Sequence, residues 1–458
     1  MLSQVSAKSH NATQSFDTVI IGLGATGLAC ARFLHRQGMG YAITDSREFP
    51  PQYHQLLAEQ PDTPLRLGGF DRHLIASAKQ VILSPGVSPA EPAIRAALAA
   101  GVEVLGDIEL FARHAHAPVL AITGANGKST VTALVAEMAN AGGVDARCGG
   151  NLGTPALELL GPPEPALYVL ELSSFQLELT CSLNAAAATV LNVTPDHMDR
   201  HPSFRDYARA KQRIFNGDGA MVLNGDDPVV AHMAIPGRRQ LWFSLGDPGE
   251  ARFGLRRRSG MEWICHGGDA LLPVSELKLA GRHNVANALG ALALGSAANL
   301  PRAGMLHALR EFQGLPHRCQ WVAGDGGVDW YNDSKGTNVG ATRAAIMGLA
   351  EDRRIVLIAG GIAKGADFAE LAAASQGSLR AVVVLGRDGP AIARAFQGMV
   401  PVEKASDMGD AVSLAKGLAQ PGDAVLLSPA CASFDLFNDY AHRGQVFMRE
   451  VKNQLRMA

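Results

Sequence analysis

The chain has 458 residues and a formal net charge of −2, and its composition is 47% hydrophobic and 18% charged. That length suggests roughly three domains at about 150 residues each, with ample apolar core. The near-zero charge excludes a general field toward nucleic acid or anionic membrane, so any bound anion must be held by local groups.

The six cysteines are scattered with no C-x-x-C pair, which argues against a zinc knuckle or a disulfide framework and for reduced thiols in the cytosol. Residues 1–15 are polar and lack the apolar centre of a signal peptide, so a disordered extension is expected there, with the sequon at Asn11 a chance match. No apolar run reaches the ~18 residues of a membrane span. A cytoplasmic protein with no membrane insertion is expected.

In chain order the sequence repeats one rhythm: apolar run, glycine-rich turn, helical pattern. "FDTVIIG" (16–22) reads as a buried strand and "ATGLACARFLHRQG" (25–38) as the helix after it. "YAITD" (41–45), "KQVILSPG" (79–86), "APVLAITG" (117–124), "ALYVLELSS" (166–174) and "AATVLNV" (187–193) are further strands. So are "RRIVLIAGG" (353–361), "RAVVVLG" (380–386) and "DAVLLSP" (423–429). Continuous Val/Ile/Leu runs between helices predict parallel strands covered on both faces, hence a doubly wound α/β class. "GDIELFARHAHAP" (106–118) reads as a linking helix, and Gly314 and Pro316 mark a second break. The expected domains are therefore 16–106, 107–314 and 315–458. Short strand-like pieces in 236–282 predict a small antiparallel addition, with Arg256, Arg257 and Arg258 on a solvated strand edge.

"AITGANGKST" (121–130) carries the sharpest chemical signal. The common phosphate-loop spelling is G-x-x-x-x-G-K-[ST], and Gly127, Lys128 and Ser129 supply its end. Five positions before Gly127, however, stands Ile122. A phosphate needs converging backbone N–H groups, a helix N-terminus and a cation. Here all three follow a strand and precede a helix. Gly124 and Gly127 permit close backbone approach, Lys128 can reach β- and γ-phosphates, and Ser129 or Thr130 can offer a hydroxyl to Mg²⁺. Glu171 ends an apolar strand, where a carboxylate needs a partner: a metal ion, a cap or an ion pair. Ser173 follows it at the ligand-binding edge of an open sheet. "NVTPDHMDRH" (192–201) packs Asp196, His197, Asp199, Arg200 and His201 into one loop, a density that suits a metal or phosphate site and equally an exposed loop. Lys211 lies on the amphipathic stretch 203–215, where spacing alone favours solvent.

"GLGATG" (22–27) after a strand, with Asp45 ending the next, resembles a dinucleotide fingerprint and supports a diphosphate on a helix N-terminus. Near the other end, polar clusters at successive strand ends supply His317, Arg318, Asp333, Lys335, Thr337, Lys364 and Ser428. Cations there suit γ-phosphate stabilisation or capture of a carboxylate.

Taken together, "TGANGKST", "LELSSFQLE", "NVTPDHMDRH", "AGRHNVANALGALAL", "GLPHR" and "NDSKGTN" resemble the Mur ligases from about residue 16 onward. Within that family "VIIGLGATGLACARFL", "ILSPGV", "GDIELF" and "SPACASFDLF" are most similar to the members that add D-glutamate, and the "DNPR" string of the diaminopimelate-adding members is absent. The resemblance implies a Rossmann-like first domain, a central P-loop-type ATPase domain and a Rossmann-like third domain. It implies that ATP phosphorylates the carboxylate of UDP-N-acetylmuramoyl-L-alanine and that the amine of D-glutamate attacks the acyl phosphate. Lys128, Ser129, Gly124, Asn126, Gly127, Thr130, Asn284, Arg318, Asp333 and Lys335 would bind ATP. Ser129 and Glu171 would hold one Mg²⁺, and His197 and Lys211, the latter carbamylated by CO₂, a second. Lys128, His197 and Lys211 form the implied catalytic set. Thr26, Asp45, Ser46, Arg47, Asn151 and Ser173 would contact the UDP substrate, and Thr337, Lys364, Ser428 and Phe434 the D-glutamate. The spelling Y-x-x-x-K-x-x-I survives as Tyr207, Lys211 and Ile214. "GGIAKGADF" departs from the family pattern at Ile362 and Ala363, which leaves the geometry of that loop open. A monomer is expected.

Two other readings compete. A folylpolyglutamate-type ligase shares the ATP machinery but needs no diphosphate-binding first domain. A nucleotide-sugar oxidoreductase would use the "GLGATG" turn but leaves the ATP loop unexplained.

Overall fold

The computed structural model describes residues 16–456 apart from 152, 199, 251, 280, 351, 352 and 364. The expected extension 1–15, Asp199 and Lys364 thus lie outside the described residues. The chain forms two compact units interleaved in sequence: 1–123, 145–188 and 209–219 in the first, and 124–144, 189–208 and 220–458 in the second.

The first unit contains a five-stranded parallel sheet in the order Leu65–Leu67, Tyr41–Asp45, Thr18–Ile21, Gln80–Leu83, Glu103–Leu105. The central strand Thr18–Ile21 is buried throughout, as its unbroken apolar run requires. Val19, Ile21, Val81, Leu83 and Ile94 form one core beside it. The same unit pairs Val119–Thr123, Leu167–Glu171 and Ala146–Gly150 in parallel.

The expected linking helix at 106–118 is shorter. It spans Asp107–Ala112, and residues 107–111 are buried. Its acids explain this. The Glu109 carboxylate accepts the amides of Cys181 and Ser182, and Asp107 accepts the Gln176 side chain, so the helix is pinned to the 176–182 segment.

In the second unit, Ala220–Asn224 and Gln240–Phe243 run parallel, and Phe253–Arg258, Met261–His266 and Asp269–Pro273 form an antiparallel meander. The expected antiparallel addition is correct for the last three strands only, because Gln240–Phe243 joins in the parallel sense. Arg257 and Arg258 are exposed as expected: their strand pairs with Met261–His266 along one side, while on the other side the pairing reaches only Phe253.

A six-stranded sheet follows in the order Gln320–Asp325, Val328–Asn332, Ala424–Leu427, Ile355–Gly360, Leu379–Leu385, Val402–Lys404. Only its first pair is antiparallel. Cores on both faces bury the central strands completely. Loops at the carboxyl ends of those strands are where an open α/β sheet collects ligand groups.

Candidate nucleotide and substrate sites

The loop after Val119–Thr123 resolves the missing glycine. Ile122 is fully buried inside the strand, and the turn begins only at Gly124 (φ 158°). Gly127 (φ 83°) caps the helix Lys128–Ala141, and a Cβ there would meet the Asn287 Oδ1 at 2.4 Å. The loop is clamped by Asn192. Its side-chain oxygen accepts the Asn126 amide (2.8 Å), its side-chain amide donates to the Asn126 carbonyl (3.1 Å), and its own carbonyl accepts from Ala125 (2.9 Å). Lys128 Nζ lies 3.0 Å from the carbonyls of Gly124 and Ala125, which folds the ammonium over the loop.

A cavity of about 350 Å³ opens beside this loop. Asn126, Gly127 and Thr130 line one part, Asn284 and Asn287 another, and Arg318, Asp333, Lys335 and Gly336 a third. Arg318 donates to the Ser129 Oγ at 2.7 Å, so a guanidinium reaches the loop hydroxyl. Lys335 Nζ sits 3.9 Å over the Tyr440 ring. Asp333 is buried. One carboxylate oxygen accepts from the Ser428 hydroxyl (2.7 Å) and the other from the Cys319 amide (3.1 Å). Burial pushes its carboxyl up to about 6 against those bonds and the nearby arginines.

Three expected residues have structural duties that the strings did not reveal. Ser428 is fully buried and engages Asp333 and Thr342. His317 does not add a cation: its Nδ1 accepts from Asn332 (2.8 Å), and burial holds the ring below its usual pKa and neutral near pH 7. Ser173 caps the helix Ser174–Glu178 in a reciprocal capping box with Gln176. Phe434, by contrast, is 68% exposed, and Thr337 is half-buried.

His197 has a positive φ of 55°, its Nε2 is 3.7 Å from Asp196, and Asp196 accepts from the Asn338 side chain at 2.9 Å. Lys211, on the helix Phe204–Gln212, is 2% exposed, which overturns the solvent-facing reading that spacing favoured. The predicted helix continues only as a 3-10 turn over Arg213–Phe215. Tyr207, one turn earlier, is also buried.

A second cavity of about 460 Å³ lies in the first unit. It is lined by Thr26 of the first glycine turn, by Asp45, Ser46 and Arg47, by Ser84, and by Asn151 and Gln176. The Asp45 carboxylate accepts the Leu23 amide (2.7 Å) and a two-point fork from Arg47 (2.9 and 2.7 Å). Burial alone would raise that carboxyl, but Arg47 and the two amides outweigh it and hold it below the usual range. Asn151 binds Glu171 twice, amide to carbonyl and side chain to carboxylate, each at 2.8 Å. Glu171 therefore has its capping partner and is buried at the strand end.

Sequence reasoning missed Asn192, Asn287 and Gln176 as lining residues. Asn287 was findable, since it stands three residues after Asn284 on one helix face and donates to it. Asn192 follows the buried strand Ala187–Val190, a place where an open sheet offers polar groups, but its clamp on the loop needs the fold.

Comparison with known proteins gives one consistent answer. The domain family "Mur ligase MurD-like, N-terminal domain" matches residues 16–106, "Mur ligase middle domain" 122–295, and "Mur ligase, glutamate ligase domain" 317–431. The chain is 54% identical over 438 residues to a UDP-N-acetylmuramoylalanine--D-glutamate ligase of Nitrosococcus oceani, covering 96% of this chain and 97% of that one. It is 52% identical to the protein of the same name from Methylococcus capsulatus, over 95% of this chain and 94% of the other. Among solved structures, a MurF ligase from Thermotoga maritima in complex with ADP aligns with a TM-score of 0.63 at 15% identity, covering 97% of this chain and 96% of that one.

Proposed function

This chain belongs to the Mur ligase family, and on that premise we propose that it is an ATP-dependent ligase that adds D-glutamate to UDP-N-acetylmuramoyl-L-alanine in peptidoglycan precursor synthesis. The observation that carries the chemistry is the cavity in which a clamped glycine loop faces Arg318 and Lys335. Such a site holds a triphosphate by amides and focuses positive charge where charge develops during phosphoryl transfer.

The reaction joins two anions. The substrate carboxylate attacks the γ-phosphorus, the bond to the ADP oxygen breaks, and an acyl phosphate forms. The D-glutamate amine then attacks the acyl carbon, loses a proton, and expels inorganic phosphate. Lys128 and Arg318 offset the repulsion in the first step, and the loop amides orient the phosphates. Asn284 and Asn287 supply the paired amides of the nucleoside end, with Asp333 near the ribose. Thr26, Asp45, Ser46, Arg47, Asn151 and Ser173 are proposed for the UDP substrate. For D-glutamate, Thr337, Lys364, Ser428 and Phe434 are proposed, Ser428 acting from behind Asp333.

Among the described residues no three His, Cys, Asp or Glu side chains cluster as a metal site. The available donors fit Mg²⁺ nonetheless, because that ion takes few protein oxygens and fills its shell with phosphate and water. Ser129 and Glu171 are the proposed protein ligands of one ion, and His197 and Lys211 of another. When bound, Mg²⁺ neutralises charge on the phosphate oxygens. For Lys211 the proposal requires a carbamate: the neutral amine adds CO₂, gains an N–C bond and releases a proton. Lys211 is 2% exposed, so a carbamate there would be shielded from bulk water. Lys211→Ala should abolish turnover, with partial restoration by short carboxylic acids; unchanged rates would remove the carbamate.

We place the domain divisions near 106 and 314, as the strings suggested. No helix among the described residues is long and apolar enough to cross a membrane, and we propose a cytoplasmic monomer. The deciding experiment is phosphate release by pure protein with Mg²⁺ and ATP. It should require both UDP-N-acetylmuramoyl-L-alanine and D-glutamate. Release with a folate and glutamate instead, or none at all, would overturn the assignment.

A further inference from the structure

Arg443 is the second-largest fully buried side chain in the described structure, with 1% exposure. It lies on the long helix Tyr440–Arg456. A guanidinium removed from water is costly unless its donors are satisfied. Here they are satisfied almost wholly by backbone. Nε donates to the Ser334 Oγ (2.9 Å), one terminal nitrogen to the Ser334 carbonyl (2.7 Å), and the other to the carbonyls of Cys431 (3.1 Å) and Gly360 (3.4 Å). Those acceptors sit on three different segments. Each ends or follows a neighbouring strand of the six-stranded sheet, at Val328–Asn332, Ile355–Gly360 and Ala424–Leu427.

The planar fork matters, because only five fixed donors can reach three loops at once. No carboxylate forms an ion pair with Arg443 among the described residues. The side chain therefore adds a buried positive charge beneath these loops as well as a tie between them.

The segments are not equally dependent on it. The Asp333–Gly336 turn has its own clamps: the Ser334 amide donates to Asn332, the Ser334 hydroxyl to the Tyr440 carbonyl, and the Lys335 amide to the His317 carbonyl. The other two segments are tied to each other by the Ile362–Ala432 bridge and the Gly360–Pro429 bond. The Ser428 hydroxyl bonded to the Asp333 carboxylate, the Asp333 amide bonded to the Leu427 carbonyl and the Ala430 amide bonded to the Gly336 carbonyl already tie the 427–430 stretch to the turn bearing Asp333 and Lys335. Arg443 extends that tie to Cys431 and Gly360.

We propose that Arg443 is a positioning residue that fixes the 360–363 and 430–434 loops against the nucleotide-lining turn and so shapes the pocket for the dicarboxylate amine donor. It rests on the ligase reading above. It touches no substrate; it sets where the loops stand and favours an anion among them.

The test compares Arg443→Lys, which keeps charge without the fork, with Ser334→Ala, which removes the Nε acceptor together with the hydroxyl's bond to the Tyr440 carbonyl. Arg443→Lys should raise the KM for D-glutamate about tenfold while the affinity for ADP changes less than twofold. Ser334→Ala should raise that KM by about threefold. A purely structural role would move both parameters together with the melting temperature, and that result, or an unchanged KM, overturns the inference. Hydrogen exchange of the intact protein reads the loops without turnover. Faster exchange at 360–363 and 430–434 but not at 333–336 is expected in Arg443→Lys; equal exchange throughout overturns the tie. An inert wild type with this exchange pattern would instead count against the ligase reading alone.

Discussion

Two glycine turns open two helices in this chain, and they differ in what stands around them. The 22–27 turn leads into Ala25–Arg36, with Gly24 as cap and no side-chain capping bond. A Cβ on Gly27 would come within 2.0 Å of the Gly22 carbonyl oxygen, so this turn is tight against its own helix. The 124–127 turn is tight against other segments instead, through Asn192 and Asn287. Both leave helix N–H groups for phosphate. Only the second adds Lys128 and the hydroxyls of Ser129 and Thr130. The cation beside the first, Arg47, is already neutralised by Asp45. Under the proposed function one site would stabilise charge that changes during reaction, and the other would recognise a diphosphate whose charge does not.

The largest test of that contrast is Lys128→Ala. Turnover should fall by roughly a thousandfold, about 4 kcal/mol of transition-state stabilisation, with little change in the UDP-substrate KM. Near-normal turnover would erase the difference between the turns.

Asp107 tests the first site from behind. It is buried, one carboxylate oxygen has no partner among the described residues, and the other accepts the Nε2 of cavity-lining Gln176. Burial pushes its carboxyl up to about 6. Because the folded-state value is raised, the folded state binds more protons between pH 4 and 6, and the burial cost is fully present above that window. Asp107→Asn should therefore stabilise the protein by about 3 kcal/mol at pH 8, with the gain shrinking toward pH 4. Urea melts at both pH values measure this; a pH-independent difference would mean the carboxylate is not the source.

The smallest expected effect is at Arg47. Arg47→Ala should raise the KM for the UDP substrate about tenfold, or about 1.4 kcal/mol, and leave the ATP KM within twofold. A larger loss of kcat than of KM would assign Arg47 a part in the chemistry and blur the comparison.

The sequence was informative where chemistry is local. The 121–130 string carries its own strand, turn and helix, and the unbroken runs at 18–21, 355–360 and 424–427 declare buried parallel strands. It was misleading where burial depends on distant partners. The helix expected over 106–118 ends at Ala112, and its string does not show that its acids bind amides about seventy residues away. For Lys211 spacing alone favoured solvent and only the family resemblance reversed that, because a helix shows its period but not what covers it.

The sequence by itself therefore determined the α/β class, the phosphate loop and the family, since each rests on residues close together in the chain. Tertiary structure decided which polar groups face a cavity and which hold the fold: Ser428 and His317 inward, Phe434 outward, Arg443 beneath three loops. Hydrogen bonds between segments about a hundred residues apart, such as Arg443 to Ser334, leave no periodic trace in the string. Their geometry exists only once the strands have brought the loops together.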